Sequence, residues 1–240
     1  MKDNTTTNVQ LENGSPAFAK PVLPAVPSSV VYNEDCVEAL KRFPDKYFDL
    51  AVVDPPYGIG AGNVNFINRY TANKNAEKFY RVNDWDKIRP DKIYFDELRR
   101  VSKNQIVWGG NYFVDMMQPA RCFLVWDKKT GDNSYADCEM ALTSFDANAK
   151  IYQKHWLGSK AKDHDGRLHP TQKPIGLYEW IYKLFAKEGD LILDTHLGSG
   201  SNRIAAHKAG LNFTGFEIDK DYYEAQEKRF KDFVSQLRLF

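Results

Sequence analysis

The stretch GDLILDTHLGSGSN, Gly189 to Asn202, decides the fold. Its first half, LILD, is a short apolar run ending in an acid, as strands buried on both faces of a parallel sheet are. Its second half sets Gly198 and Gly200 beside Ser199 and Ser201, and a helix pattern runs from Gly200 to Ala209. A strand, a glycine turn and a helix make a βα unit, and open α/β sheets bind ligands at the carboxyl ends of such strands. Asp194 stands at that end. The glycines remove Cβ atoms that would keep a ligand off the backbone. The next predicted strand, Phe213 to Ile218, ends in GFEID, where Glu217 can take both hydroxyls of a ribose, with Ile218 beside it. The turn lacks G-x-x-x-x-G-K-[ST], which argues against a nucleoside triphosphate, and it lacks the full G-x-G-x-x-G of a pyrophosphate site. A nucleoside without phosphates remains, and S-adenosylmethionine is the common one.

Outward from this unit the chain alternates strands and helices. Val30 to Tyr32, Phe48 to Val53, Gln105 to Trp108, Cys122 to Trp126 and Cys138 to Phe145 read as strands. Glu34 to Phe43, Asp91 to Ser102, Ile175 to Ala186 and Lys220 to Leu237 read as helices. The pattern predicts one α/β domain over 30–240 with a mostly parallel, doubly wound sheet. Residues 1–29 are polar and then rich in Pro and Ala, which predicts a flexible arm. Two stretches, about 58–90 and 146–170, carry no clear period and read as insertions.

Hydrophobic residues make up 42% of the 240, enough for a sizeable core. With no apolar run of membrane-span length and no signal peptide, the expected location is the cytoplasm. Cys36, Cys122 and Cys138 are scattered, so reduced thiols are expected and a metal site is not. The net charge of +1 does not announce a nucleic-acid binder. Locally, Lys150, Lys154, Lys160, Lys162, Arg167 and Lys173 stand against Asp163 and Asp165, interleaved with Tyr152, His155 and Trp156. Such a stretch suits phosphate contact with base stacking, though on charge alone it reads as a solvated loop.

The second distinctive stretch is VVDPPYGIG, Val52 to Gly60. A buried strand runs into an acid, two prolines and a ring. This suits an exocyclic amine whose lone pair is delocalised into its base. Two acceptors, the Asp54 carboxylate and the Pro55 carbonyl, would hold both N–H bonds out of conjugation. Proline fixes φ and makes that carbonyl rigid. Tyr57 supplies a ring on which a flipped base stacks.

In EDCVEAL, VVDPPYGI, HPTQKP, LDTHLGSGS and GFEIDKDYY, in that order, the chain resembles the DPPY-type amino-methyltransferases, the β-group of adenine-specific DNA methyltransferases. In WGGNYF and WDK it also resembles compact forms from phages and mobile elements. The resemblance covers Tyr32 to the C-terminus and implies a Rossmann-like sheet with permuted motif order, catalytic motif first. It implies S-adenosylmethionine as cofactor and double-stranded DNA as substrate. Asp54, Pro55, Pro56 and Tyr57 match the catalytic motif. Asp194, Gly198 and Gly200 match the cofactor loop, with Ser199 and Ser201 alongside, and Glu217 matches the ribose acid. Asp35, next to Cys36, matches a polar position against the cofactor's adenine. His169, Thr171 and Lys173 belong to the motif covering the methionine end. Lys154, Lys160, Lys162 and Arg167 are the DNA-contact candidates.

The family loop more often reads D-P-F-x-G-S-G-T; here Thr195, His196 and Ser201 replace Pro, Phe and Thr, and His196 is expected to stack on the cofactor. The segment between Phe145 and His169 is short, so specificity is lax, shared with the 58–90 stretch, or completed by a second subunit in a homodimer. No nuclease motif is visible. The resemblance favours adenine over the amino group of cytosine or of a protein glutamine, through the acid at 54 and the motif order; an RNA base is the other alternative substrate. A non-catalytic relative would have no use for that acid.

Overall fold

The computed structural model describes residues 27–60, 86–130, 136–155 and 171–237. Of the predicted N-terminal arm, 1–26 lie outside these residues, while Ser28 bonds Asn212 and Ser29 already opens the first strand of the sheet. Residues 61–85 and 156–170, the larger parts of the two predicted insertions, also lie outside.

Strand β2 (Phe48–Val53) is the centre of the sheet, and its last four residues are buried. It pairs in parallel with β7 (Leu191–Asp194) on one side and β3 (Ser102–Trp108) on the other. Beyond β7 lie β8 (Asn212–Phe216) and β1 (Ser29–Tyr32), both parallel. Beyond β3 lie β5 (Cys138–Thr143), antiparallel, then β4 (Phe123–Asp127) and the edge strand β6 (Lys150–Gln153). The eight strands run in the order β1-β8-β7-β2-β3-β5-β4-β6.

Alternation along each strand feeds two cores. Val53, Val107 and Leu193 face helices α1 (Cys36–Leu40) and α2 (Lys92–Val101), where Leu40, Phe95 and Leu98 pack. Val52, Ile106 and Ile192 face α3 (Ile175–Phe185) and α4 (Ser201–Lys208), where Leu177, Ile181 and Ala205 pack. Helix α5 (Lys220–Leu237) lies against α4, with the Arg203 guanidinium 3.9 Å from the Phe230 ring centroid. None of the described helices is long and apolar enough to cross a membrane.

The chain leaves β2 toward β3 and leaves β7 toward β8, in opposite directions. The β2–β7 junction is therefore a topological switch point, and its crevice opens at the carboxyl ends of both strands.

Several predicted bounds differ, with β3 starting at Ser102 rather than Gln105, and two differences have a clear cause. Helix α1 is shorter than Glu34 to Phe43: Asp35 caps it by accepting from Glu38 N at 3.0 Å, and the chain tightens into i→i+3 turns at Arg42 and Phe43 before Pro44. Strand β6 occupies part of the stretch read as an insertion. Its Ile151 is 57% exposed, so no inward apolar period marked it.

Candidate active site

Strands β2 and β7 end side by side, and a carboxylate stands at each end. Asp54 follows β2 directly, and Asp194 closes β7. Asn202, in the first turn of α4, ties the two ends together. Its Nδ2 donates to Val52 O and to Asp194 Oδ2, both at 2.9 Å, and its Oδ1 accepts from the Tyr182 hydroxyl. Sequence reading passed over Asn202; it is buried, and its polar neighbours Ser201 and Arg203 leave no local pattern that marks it.

At the β2 end, Asp54 Oδ1 accepts from the Tyr57 hydroxyl at 2.6 Å and Oδ2 accepts from Lys173 Nζ at 2.5 Å. Lys173, read from sequence as a cofactor contact, is thus placed on the Asp54 carboxylate. Its Nζ also lies 2.9 Å from Glu139 Oε2 on β5, and Glu139 Oε1 pairs with Lys128 at 2.7 Å. Four alternating charges, Asp54, Lys173, Glu139 and Lys128, follow one another, with Lys173 buried and the other three partly so. Burial raises the Asp54 pKa, opposed by the Lys173 ammonium. Burial also works against Glu139, but Lys173 and Lys128 bring it down to about 2. Burial works against the Lys173 ammonium too, yet Asp54 and Glu139 together raise it. Sequence reading also passed over Glu139 and Lys128.

The Tyr57 ring is walled by the WGGNYF stretch. Tyr112 stacks on it at 4.9 Å between centroids, and Phe113 meets it edge-on at 6.1 Å. The Lys173 ammonium stands 5.8 Å from the Tyr57 ring centroid and 5.4 Å from that of buried Trp108. Asp86, almost fully buried, accepts from Gly58 N at 2.9 Å and so anchors the loop after Tyr57.

At the β7 end, Glu217 Oε2 accepts from Gly198 N at 2.8 Å and Oε1 from Asp219 N at 2.9 Å. Burial raises the pKa of Glu217 and pushes Asp194 up to about 7. The His196 ring lies edge-on to Tyr94 at 5.4 Å. Its Nδ1 is 2.9 Å from Thr195 Oγ1, and its Nε2 is 3.9 Å from Cys36 Sγ. Burial lowers His196 to about 4, so the ring is neutral at pH 7, and burial takes the Cys36 thiol up to about 12. Asp35 spends a carboxylate oxygen on capping α1, and Ile218 is 67% exposed beside Glu217. Ser199 and Ser201 are turned toward α5, where Arg229 Nη1 donates to Ser199 O and Ser201 Oγ.

The structure therefore groups Cys36, Asp194, His196, Gly198 and Glu217 at β7, with Asp54, Pro55, Tyr57 and Lys173 at β2. Thr171 is exposed. His169, Lys160, Lys162 and Arg167 lie outside the described residues. Lys154 is half-buried just beyond β6, its backbone N donating to Asp127 O at 3.1 Å.

Residues 93–228, more than half of the chain, match the model of the N6/N4 DNA methylase family. The matched span takes in Glu139, Lys173 and the glycine loop. The chain is 27% identical over 244 residues to the Type II methyltransferase M2.DpnII of Streptococcus pneumoniae, covering 83% of this chain and 88% of that protein. It is 24% identical over 245 residues to M2.LlaDCHI of Lactococcus lactis subsp. cremoris, covering 84% and 89%. Among solved structures, the PvuII DNA methyltransferase, named as cytosine-N4-specific, superposes with a TM-score of 0.58 at 14% identity, covering 85% of this chain and 87% of that one. TTHA0409 of Thermus thermophilus, named as a DNA modification methylase and solved with S-adenosyl-L-methionine, gives 0.52 at 17%, covering 84% and 93%. These likenesses establish the DNA-methyltransferase fold, and with the family match they show that the chain belongs to the N6/N4 DNA methylases, the amino-methyltransferases of DNA.

Proposed function

We propose that the chain transfers the methyl group of S-adenosylmethionine to the exocyclic amino group of adenine in double-stranded DNA. The observation that carries this is Asp54, a half-buried carboxylate fixed at the end of β2 by Tyr57 and Lys173, where β2 pairs with β7 and its glycine loop.

The residues around β7 fit that cofactor. Glu217 spends one acceptor site of each oxygen on a backbone N–H, which leaves capacity for two ribose hydroxyls. Ile218 offers exposed apolar surface beside it for a base. Asp194 is a buried carboxylate held by neutral donors, the Asn202 amide and the His196 N–H, which suits a cationic group of a ligand. When bound, the cofactor supplies an electrophilic methyl on a sulfonium.

The chain's own contribution is to hold the amine. Asp54 and the Pro55 carbonyl are two acceptors for the two N–H bonds of a primary amine. Their pull keeps the nitrogen lone pair out of the ring and aimed in one direction. The base leaves the duplex stack at a cost of a few kcal/mol, and an aromatic wall at Tyr57 recovers about 1–3 kcal/mol of it. An acid at position 54 favours adenine over cytosine, since relatives acting on cytosine usually carry Ser there. A DNA substrate places the protein in the cytoplasm of a bacterial or phage-infected cell.

The test is to incubate the protein with unmethylated duplex DNA and methyl-labelled S-adenosylmethionine, digest, and identify nucleosides by mass spectrometry. Labelled N6-methyladenine is expected. Methylated cytosine without methylated adenine would refute the base assignment.

A further inference from the structure

Lys173 is buried between carboxylates from two different strands. Its Nζ lies 2.5 Å from Asp54 and 2.9 Å from Glu139, and its side chain is 2% exposed. The Tyr57 hydroxyl is 3.2 Å away. The rings of Tyr57 and Trp108 flank the ammonium, and Lys128 stands behind Glu139. One ammonium between two anions has two seats, and a flexible four-carbon stem reaches both without backbone movement.

Methyl transfer makes the target nitrogen positive. The nitrogen forms its bond to the methyl carbon, the carbon–sulfur bond breaks, and that electron pair stays on sulfur. One N–H proton then passes to Asp54, whose carboxylate becomes a carboxylic acid, and the N–H electron pair stays on nitrogen. An ammonium seated on Asp54 opposes both events, because like charges repel strongly where little water screens them.

We infer that Lys173 is a movable counter-ion, which neutralises Asp54 in the empty site and passes to Glu139 when the target amine arrives. Glu139 is then a positioning residue for the reaction. This rests on Asp54 accepting the target amine, as proposed above. The electrostatics agree with the geometry. Glu139, secured by two ammoniums, stays charged over the working range and is ready to receive Lys173. Asp54, raised by burial, is the carboxylate more ready to take a proton.

The full-length protein, unmethylated genomic DNA and S-adenosylmethionine provide the test. Glu139→Gln strands the ammonium on Asp54. It is expected to slow single-turnover transfer about tenfold or more, with cofactor affinity by calorimetry kept within about twofold. Glu139→Gln with Lys173→Met is expected to recover most of that loss, because Asp54 is free again. Lys173→Met alone is expected to move the acidic limb of the rate–pH profile upward, since Asp54 loses the cation that eases its ionisation; Lys173→Arg keeps the limb in place. An unmoved limb in Lys173→Met, or a double variant slower than Glu139→Gln, overturns the inference. So does a Lys173→Met protein whose main defect is a cofactor affinity weakened about tenfold, which would seat the ammonium on the cofactor. Should Glu139→Gln not fold, the acidic limb of Lys173→Met decides. The underlying reading fails separately, if Asp54→Ala turns over like the wild type.

Discussion

Asp54, half-buried, and Glu217, buried, are both carboxylates at strand ends, yet their partners separate the roles proposed for them. Asp54 is held by Tyr57 and Lys173, side chains on the β2 side of the crevice. Glu217 is held by backbone N–H groups of the glycine loop and of the turn into α5. Asp54→Ala should therefore lower single-turnover transfer about a hundredfold or more, the scale of losing a pre-positioned polar partner in a dry site. Cofactor binding should survive, because Lys173 keeps Glu139 and the β7 loop is untouched; a cofactor affinity that collapsed in calorimetry would move Asp54 into the cofactor site. Glu217→Ala should do the reverse. It removes bonds worth about 1.5–3 kcal/mol each when made to a charged group, and it releases the Gly198 N–H that shapes the loop. An unchanged cofactor dissociation constant would place the nucleoside elsewhere. Both acids were legible because each ends an apolar run beside a distinctive turn. Glu139 and Asn202 were not. Glu139 sits in a half-buried strand with no motif around it, and the Lys173–Asp54 contact it completes joins residues 119 apart in sequence. No local pattern records a meeting made by the sheet.

The element that most constrains Tyr57 is the short 3-10 turn Gly110–Tyr112 after β3. Gly109 enters it with φ +68°, and a Cβ there would lie 2.1 Å from the Tyr57 ring. Gly109→Ala should push the ring aside and lower the transfer rate about tenfold or more, since small misplacements at a reacting centre are costly. Left-handed backbone alone costs an L-residue roughly 1–2 kcal/mol. Gly210 is the control: it has φ +70° with no atom within 4 Å of a built Cβ. Gly210→Ala should lose similar backbone stability with little loss of rate. Equal rate losses in the two variants would mean that Tyr57 is not held by this contact. At this scale the sequence showed the strands and helices with apolar periods, and it showed WGGNYF as a motif without a role. It did not show β6, whose residues have no inward face to mark, or the shortening of α1 by its own cap.

Across the whole molecule the order of motifs was readable because it follows chain order. The switch point at β2–β7 follows from that order once strands and helices alternate. The antiparallel β5 was not readable, because an apolar stretch looks alike in either direction. Both ends of the switch hold buried ionisable groups, and these make stability depend on pH in opposing ways. Asp194 rises from 3.8 to about 7 on folding. A raised pKa gives stability that is full below the unfolded value and lost as pH climbs through about 7, at most roughly 4 kcal/mol for three units. His196 falls from 6.5 to about 4. Its contribution has the opposite sign: present above about 6.5 and lost as pH drops toward 4, roughly 3 kcal/mol at most. Between pH 4 and 7 the two nearly cancel, and the raised Asp54 and Glu217 add to the fall with pH in every variant alike. Asp194→Asn removes the falling partner and keeps an acceptor for Asn202. Its stability relative to wild type, from denaturant unfolding at fixed pH values, should therefore climb from pH 4 to about pH 7 and level off above it. His196→Phe should show the opposite drift, losing relative stability from pH 4 to about 6.5 and staying level above it. Parallel curves for wild type and Asp194→Asn would mean that Asp194 ionises in the folded protein as it does in the unfolded chain. If Asp194 holds the cofactor's cationic group as proposed, Asp194→Asn should bind cofactor more weakly at pH 8 despite its greater stability, because the substitution removes the carboxylate that would pair with that charge.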